Sequence, residues 1–282
     1  MTSATLIEET RTAWNRIAAG YDTHVTNQNL ELGRRALSRV ELGADVRLLD
    51  VATGTGAVAI PAAREGAAVT AIDVSPEMVG HLSRRARAEG LANVTAVVMD
   101  GEHLEFDDDS FDVAASQFGV MLFPDLRAGL GEMARVTKPG GTVLLVVFAG
   151  HPPQLEFISF FLAAVNSVAP GLDLLPKEGV LLPFRLADRE ALAEHMLAAG
   201  LVDLRIDTVD YATPLTPSVT GADLMNVVAN SNPIGTALVG RLAPDQRAEV
   251  GRVLDGMLLE RATSQDPFLH NPVHVATGVP AR

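Results

Sequence analysis

The chain has 282 residues, of which 48% are apolar and none is cysteine, and its formal net charge is −13. That composition supplies a buried core and excludes disulfides, thiolate metal sites and a catalytic thiol, while the negative charge disfavours a nucleic-acid partner. No apolar run approaches the ~20 residues that span a bilayer, and 1–20 lacks a secretory leader's charged start and apolar centre, so a cytoplasmic protein without membrane insertion is expected.

In chain order, Leu6, Thr10, Ala13, Trp14 and Ile17 form one stripe at helical spacing. Gly20 is expected to end this helix as a left-handed cap, leaving Tyr21 and Asp22 in a loop before a second helix over 30–40. From Val46 strands and helices alternate. Strands are predicted at 46–51, 68–73, 94–99, 113–116 and 142–148, with helices at 58–65, 76–89 and 126–136 between them. Apolar strands separated by helices of this length imply a parallel sheet covered on both faces. Pro139-Gly140-Gly141 is a turn signal before the fifth strand. Arg84, Arg85 and Arg87 fall on what reads as an outward helix face.

Beyond Phe148 the regularity breaks. A helix is predicted over 155–168, another over 189–199 with Asp188 as N-cap and Gly200 as stop. A sixth strand over 201–207 and a seventh over 273–279 flank a mostly helical insert at about 220–262. The expectation is one domain over 1–282: a Rossmann-like α/β fold with a seven-stranded, mostly parallel sheet and helices on both faces. Its core covers about 40–150, 200–212 and 272–280. A helical lid comes from about 1–30, 151–187 and 217–265, built mainly from inserts after strands five and six.

Three aspartates, Asp50, Asp73 and Asp100, sit at the ends of the first three strands. The carboxyl ends of parallel strands form the crevice that takes ligands. After the first strand, Asp50-Val51-Ala52-Thr53-Gly54-Thr55-Gly56 makes a loop whose glycines permit a tight turn and close approach of a ligand. The next helix's free N–H groups favour an anion there. Asp73 follows at roughly the 20-residue distance suited to ribose hydroxyls. Ala59 occupies the place of the dinucleotide fingerprint's third glycine, an acidic residue precedes Gly54 by four positions, and Asp100 precedes Gly101-Glu102-His103. Together these favour S-adenosylmethionine over NAD.

The text LLDVATGTGAVAI (48–60), AIDVSPEMV (72–79), VVMDGEHLEFDDDSFDVAASQFGVMLFPD (97–125), EMARVTKPGGTVLLV (132–146) and WNRIAAGYD (14–22) resembles the class I methyltransferases. The nearest branch contains ubiquinone/menaquinone C-methyltransferases and many small-molecule methyltransferases. The resemblance is close over about 10–150 and holds only in fold outline beyond. It implies that Asp50, Ala52, Gly54 and Gly56 line the methionyl part of the cofactor and that Asp73 holds the ribose. It further implies Val74 and Met78 on the adenine, Asp100 and Gly101 at the adenine edge, Gln117 at the methionine moiety with Phe118 behind it, and Tyr21 closing over the whole. The family's first loop glycine is Ala52 here, which bears on local backbone geometry. Trp14 is read mainly as packing.

His24 and His151 lie near the expected ligand edge and are the candidates for a general base. His270 and His274 are separated by Pro272 and cannot share a helix face, so no metal site is expected. The implied activity is methyl transfer from S-adenosyl-L-methionine, with S-adenosyl-L-homocysteine as product, to O, N or C of a small, partly apolar metabolite. Non-methylating chemistry on the same cofactor, such as cyclisation, and a cofactor-binding non-enzyme are the alternatives. The sequence is silent on the oligomeric state.

Overall fold

A computed structural model describes residues 3–172 and 181–281; the part of the expected lid at 173–180 lies outside the described residues. The sheet is built from β1 (Arg47–Val51), β2 (Ala68–Asp73), β3 (Val94–Val98), β4 (Phe111–Gln117), β5 (Thr137–Phe148), β6 (Leu201–Asp210) and a late strand, β9 (Pro272–Pro280). Its order is β3-β2-β1-β4-β5-β9-β6. β1 to β5 run parallel, and β9 lies antiparallel to both β5 and β6, so β9 alone opposes the other strands. This is the expected mostly parallel seven-stranded sheet. The order reverses between β1 and β4, and at such a switch point the strand ends open a crevice.

Helices cover both faces because β1, β4 and β5 are apolar on both sides. One face packs on α2 (Thr26–Leu37), α3 (Ala59–Arg64) and α4 (Pro76–Ala88), with Leu32, Ile60 and Leu82 fully buried. The other packs on α5 (Leu126–Val136) and α7 (Arg189–Ala198) through Leu130, Met133, Leu192 and Met196. α4 opens with Ser75 accepting from the Met78 N–H and Pro76 in its first turn, and α5 opens with Asp125 accepting from Ala128.

A third apolar cluster lies apart from these two. It joins α6 (Glu156–Val168), α8 (Gly221–Ser231), α9 (Pro233–Gly240) and α10 (Pro244–Ala262) through Phe161, Leu224, Val228, Leu238, Leu254 and Leu258. A short ribbon of β7 (Thr213–Pro214) and β8 (Phe268–Leu269) ties its entry to its exit. The insert is therefore helical, as the sequence predicts, and divides into three helices.

The N-terminal helix differs from expectation. α1 runs Ser3–His24, so Gly20 lies inside it and Tyr21 and Asp22 are helical. The helix continues because those side chains are anchored: Asp22 accepts from Arg85 at 2.7 Å and pairs with His81 at 3.1 Å, and Tyr21 accepts from Asn29. Gly20 serves packing instead, since a Cβ there would stand 1.9 Å from Asn230 Oδ1 of α8. The arginine cluster divides for the same reason, with Arg84 and Arg87 exposed and Arg85 turned to Asp22. α2 starts at Thr26 rather than at 30. β5 starts at Thr137, with Thr137 opposite Phe111 and Thr142 opposite Val113. The predicted Pro139-Gly140-Gly141 turn is a bulge within the strand, with Gly140 at φ 77°.

Candidate active site

The loop after β1 takes its shape from buried partners. Thr53 donates its N–H to Ile72 O, and Ala52, Gly54 and Gly56 all have positive φ, at 55°, 55° and 100°. Gly56 has a packing reason as well, because a Cβ would meet Leu82 at 2.5 Å. At Gly54 a Cβ would meet only Tyr21, at 3.8 Å, so the glycine leaves the backbone open on that side.

Asp50 is buried and turned into this loop, accepting from Thr53 Oγ1 at 2.5 Å and from the Ala59 N–H at 2.9 Å. Burial pushes its carboxyl up to about 7 against those two hydrogen bonds, with the neighbouring Asp73 adding to the rise. Asp73 accepts from Gly54 N–H at 2.8 Å through one oxygen and from Ser75 N–H at 2.9 Å through the other. Burial again dominates and raises it to about 6. Asp100 shapes the third strand end, accepting from Glu102 N–H at 3.0 Å with His103 Nδ1 at 3.1 Å. Gly101 leaves room for Phe123, whose Cζ would lie 2.4 Å from an added Cβ.

A cavity of about 590 Å³ opens over these strand ends and runs up to the insert helices. Of the residues singled out in the sequence, it brings together Tyr21, His24, Ala52, Gly54, Asp73, Val74, Met78, Asp100, Gly101, Gln117 and Phe118. Asp50, Gly56 and His151 are not among its lining residues. His151 is exposed, its ring centroid 6.5 Å from that of Phe184, and its N–H donates to Gln154 Oε1. Met78 does double service: it is 1% exposed and packs with Ile17 and Ala18 under Trp14. Trp14 also lines the cavity, edge-on to Tyr21.

Gln117 donates from Nε2 to Asn29 O at 2.9 Å, and its buried Oε1 has no donor. A buried acceptor left unpaired costs roughly 1–3 kcal/mol, so a ligand donor would be favoured there. Tyr21, fixed by Asn29 at 2.9 Å, is pushed up to about 12 by burial and stays a neutral phenol. An open Gly54 backbone, a strand-end carboxylate suited to paired hydroxyls and an orphaned amide oxygen together fit a nucleoside carrying an amino-acid tail. Among the described residues no cluster suited to a metal ion occurs, and His274 is a core histidine held by Thr208 and Ala187 O.

Several lining groups have no signal in the sequence. Tyr211, Asp223 and Asn271 come from β6's exit, α8 and the residue before β9, and only the return of the insert brings them to one cavity. Phe148, at the end of β5, stacks on Phe118 at 4.7 Å and lies 5.9 Å from Phe157.

A family model described as a methyltransferase domain matches residues 48–141. An uncharacterized protein of Mycobacterium tuberculosis is 33% identical over 175 residues, covering 62% of this chain and 60% of that one. Nocamycin O-methyltransferase of Saccharothrix syringae is 30% identical over 279 residues, covering 94% of this chain and 96% of its own. Among solved structures, a phosphoethanolamine N-methyltransferase 2 of Haemonchus contortus in complex with S-adenosylhomocysteine superposes with a TM-score of 0.59. It is 20% identical, covering 97% of this chain and 61% of that one, and so speaks for the fold.

Proposed function

Since this chain belongs to the class I S-adenosylmethionine-dependent methyltransferases, we propose that it methylates a small, largely apolar molecule, at a hydroxyl oxygen. The observation that carries this reading is the continuity of one cavity, from the strand-end groups Gly54, Asp73 and Asp100 to the apolar faces of the insert. The choice of oxygen draws on the O-methyltransferase matched along 94% of this chain.

In this reading Asp73 takes the ribose hydroxyls, Asp100 and Gly101 meet the adenine edge between Val74 and Met78, and Gln117 Oε1 receives the amino group. Ala52 and Gly54 leave the backbone open to the methionyl tail. Asp50 and Gly56 act one step back by fixing the loop, since neither lines the cavity. The bound sulfonium supplies an activated methyl group and departs as a neutral thioether. The protein's own work is then to hold the acceptor in line and exclude water. As the new C–O bond forms and the C–S bond breaks, the acceptor's proton must leave. In this reading His24, which lines the cavity, takes it, and His151, which does not line the cavity, has no part. The inserts and α1 act as the lid of a single unit.

The test is a calorimetric titration with S-adenosylmethionine, S-adenosylhomocysteine and NAD. Binding of the first two with NAD silent is expected. Binding of NAD alone overturns the reading.

A further inference from the structure

The half of the cavity facing the insert has a chemistry of its own. Its floor is an aromatic wall: Phe148 lies between Phe118 and Phe157, with interplanar angles of 29° and 31°. Near-aligned rings of this kind favour a flat partner laid against them. The chain has two tyrosines, and both line this cavity. Tyr21 has its hydroxyl engaged by Asn29. Tyr211 is different. Its hydroxyl makes no hydrogen bond to a described residue and is not fully buried, so it is open to a partner. Its backbone is held by Asn271, whose carbonyl accepts the Tyr211 N–H at 3.1 Å, and its ring packs, as those of Phe118 and Phe148 do, against the apolar cluster that includes Leu32 and Val273. Burial pushes its pKa up, so it remains a donor rather than a base.

Among the charged groups carboxylates dominate the lining, with His24 as the one basic side chain among the lining residues. Asp223 of α8 lines the cavity, anchored by Thr220, and the strand-end carboxylates Asp73, Asp100 and Glu102 line the other end. An anion entering would meet these carboxylates inside a chain of net charge −13.

Resting on the methyltransferase reading, we propose that Tyr211 binds and orients the acceptor, an uncharged planar ring bearing oxygen. The ring lies against the Phe118–Phe148–Phe157 wall while Asp223 excludes anionic acceptors. Tyr211 gives a hydrogen bond to a ring oxygen, and the wall sets the plane, so the reacting hydroxyl is left with one orientation.

The probes are 2-naphthol and 2-naphthoate, titrated calorimetrically into the protein saturated with S-adenosylhomocysteine. 2-Naphthol is expected to bind at least about tenfold more tightly than 2-naphthoate, the factor that ~1.4 kcal/mol gives. Tyr211→Phe should lose about tenfold in 2-naphthol affinity with S-adenosylhomocysteine affinity unchanged, as expected for one lost hydrogen bond. Asp223→Asn should narrow the gap between the two probes, with a thermal melt verifying that α8 is still capped. Equal or tighter binding of 2-naphthoate, wild-type 2-naphthol affinity in Tyr211→Phe, or no binding of either probe overturns the proposal. Failure of S-adenosylhomocysteine to bind at the outset overturns the methyltransferase reading beneath it.

Discussion

Asp73 holds two backbone N–H groups, Gly54 and Ser75, besides lining the cavity, which changes what its replacement tests. Asp73→Ala removes both anchors and disturbs the loop, so Asp73→Asn is the cleaner variant. It keeps one acceptor and should weaken S-adenosylhomocysteine by roughly 10–100-fold, the worth of a lost charged hydrogen bond or two. Calorimetry on the pair of variants separates loop damage from lost ligand contact. The raised carboxyls also give a pH signature. Asp73 and Asp50 titrate at about 6 and about 7, above the ordinary value of ~3.9. The folded state therefore binds protons more readily than the unfolded one. This contribution is fully present below about pH 4 and fades as pH rises through those values. The ligand-free protein should lose thermal stability across that window, while S-adenosylhomocysteine binds more tightly above about pH 6, where Asp73 is charged. Melts and titrations over this range should move in opposite directions. At Ala52 the left-handed φ of 55° costs an L-residue roughly 1–2 kcal/mol. Ala52→Gly should therefore stabilise the fold by up to about 1 kcal/mol after the unfolded-chain entropy of glycine is subtracted, and so raise the melting temperature slightly. An unchanged or lower melting temperature would show that the loop is not strained there.

At the scale of elements, the sequence was most legible where pattern and packing agree. β2 and α5 have the predicted bounds, because an apolar run that ends at Asp73 marks the one and the capping Asp125 opens the other. The end of α1 was not legible: Gly20 carries a stop signal, but distant partners, Arg85 and His81, stabilise the extra turn. The same cause hid half of the site. Strand-end aspartates and the glycine loop are local in sequence, whereas Tyr211, Asp223 and Asn271 converge only through the insert's path. α2 makes a further case. Its Gly33 lies so close to the loop that a Cβ would stand 2.1 Å from the Ala57 carbonyl oxygen, a backbone atom that cannot swing aside. Gly33→Ala should cost about 1–3 kcal/mol by overpacking, and because Gln117 is tied to α2 through Asn29, it should also weaken cofactor affinity. Paired denaturation and binding measurements would show both losses, and a loss of stability alone would mean that α2 does not set the site.

Across the whole molecule, the insert meets the sheet through a chain of charges. Arg261 of α10 bonds Glu156 of α6 at 2.5 Å and Asp266, while His270 bonds Asp266 at 2.9 Å and Asp210 of β6 at 2.5 Å. Glu156 also accepts the His270 N–H at 2.7 Å. The Asp210 hydrogen bond, helped by Asp266, raises the histidine's pKa against its slight burial. A raised histidine stabilises the fold fully below its ordinary ~6.5, and that help is lost as pH rises through the raised value. The junction should open more readily in alkaline solution. Limited proteolysis should then cut the insert faster at high pH, and His270→Gln should remove the difference.

The place of β9 has a consequence for the order in which this molecule assembles. β6 has no neighbour in the sheet except β9, and β5 lacks its second neighbour until β9 arrives. In chain order, then, β1 to β5 can pair with one another, but β6 has no partner in the sheet until more than sixty further residues have followed. Only when 272–280 slides between two waiting edges does the sheet close, carrying Asn271 and the roof of the cavity into place in the same step. Completion of the sheet and completion of the cavity are thus one event, and a chain that lacks 272–280 would expose an unpaired β5 edge to its neighbours.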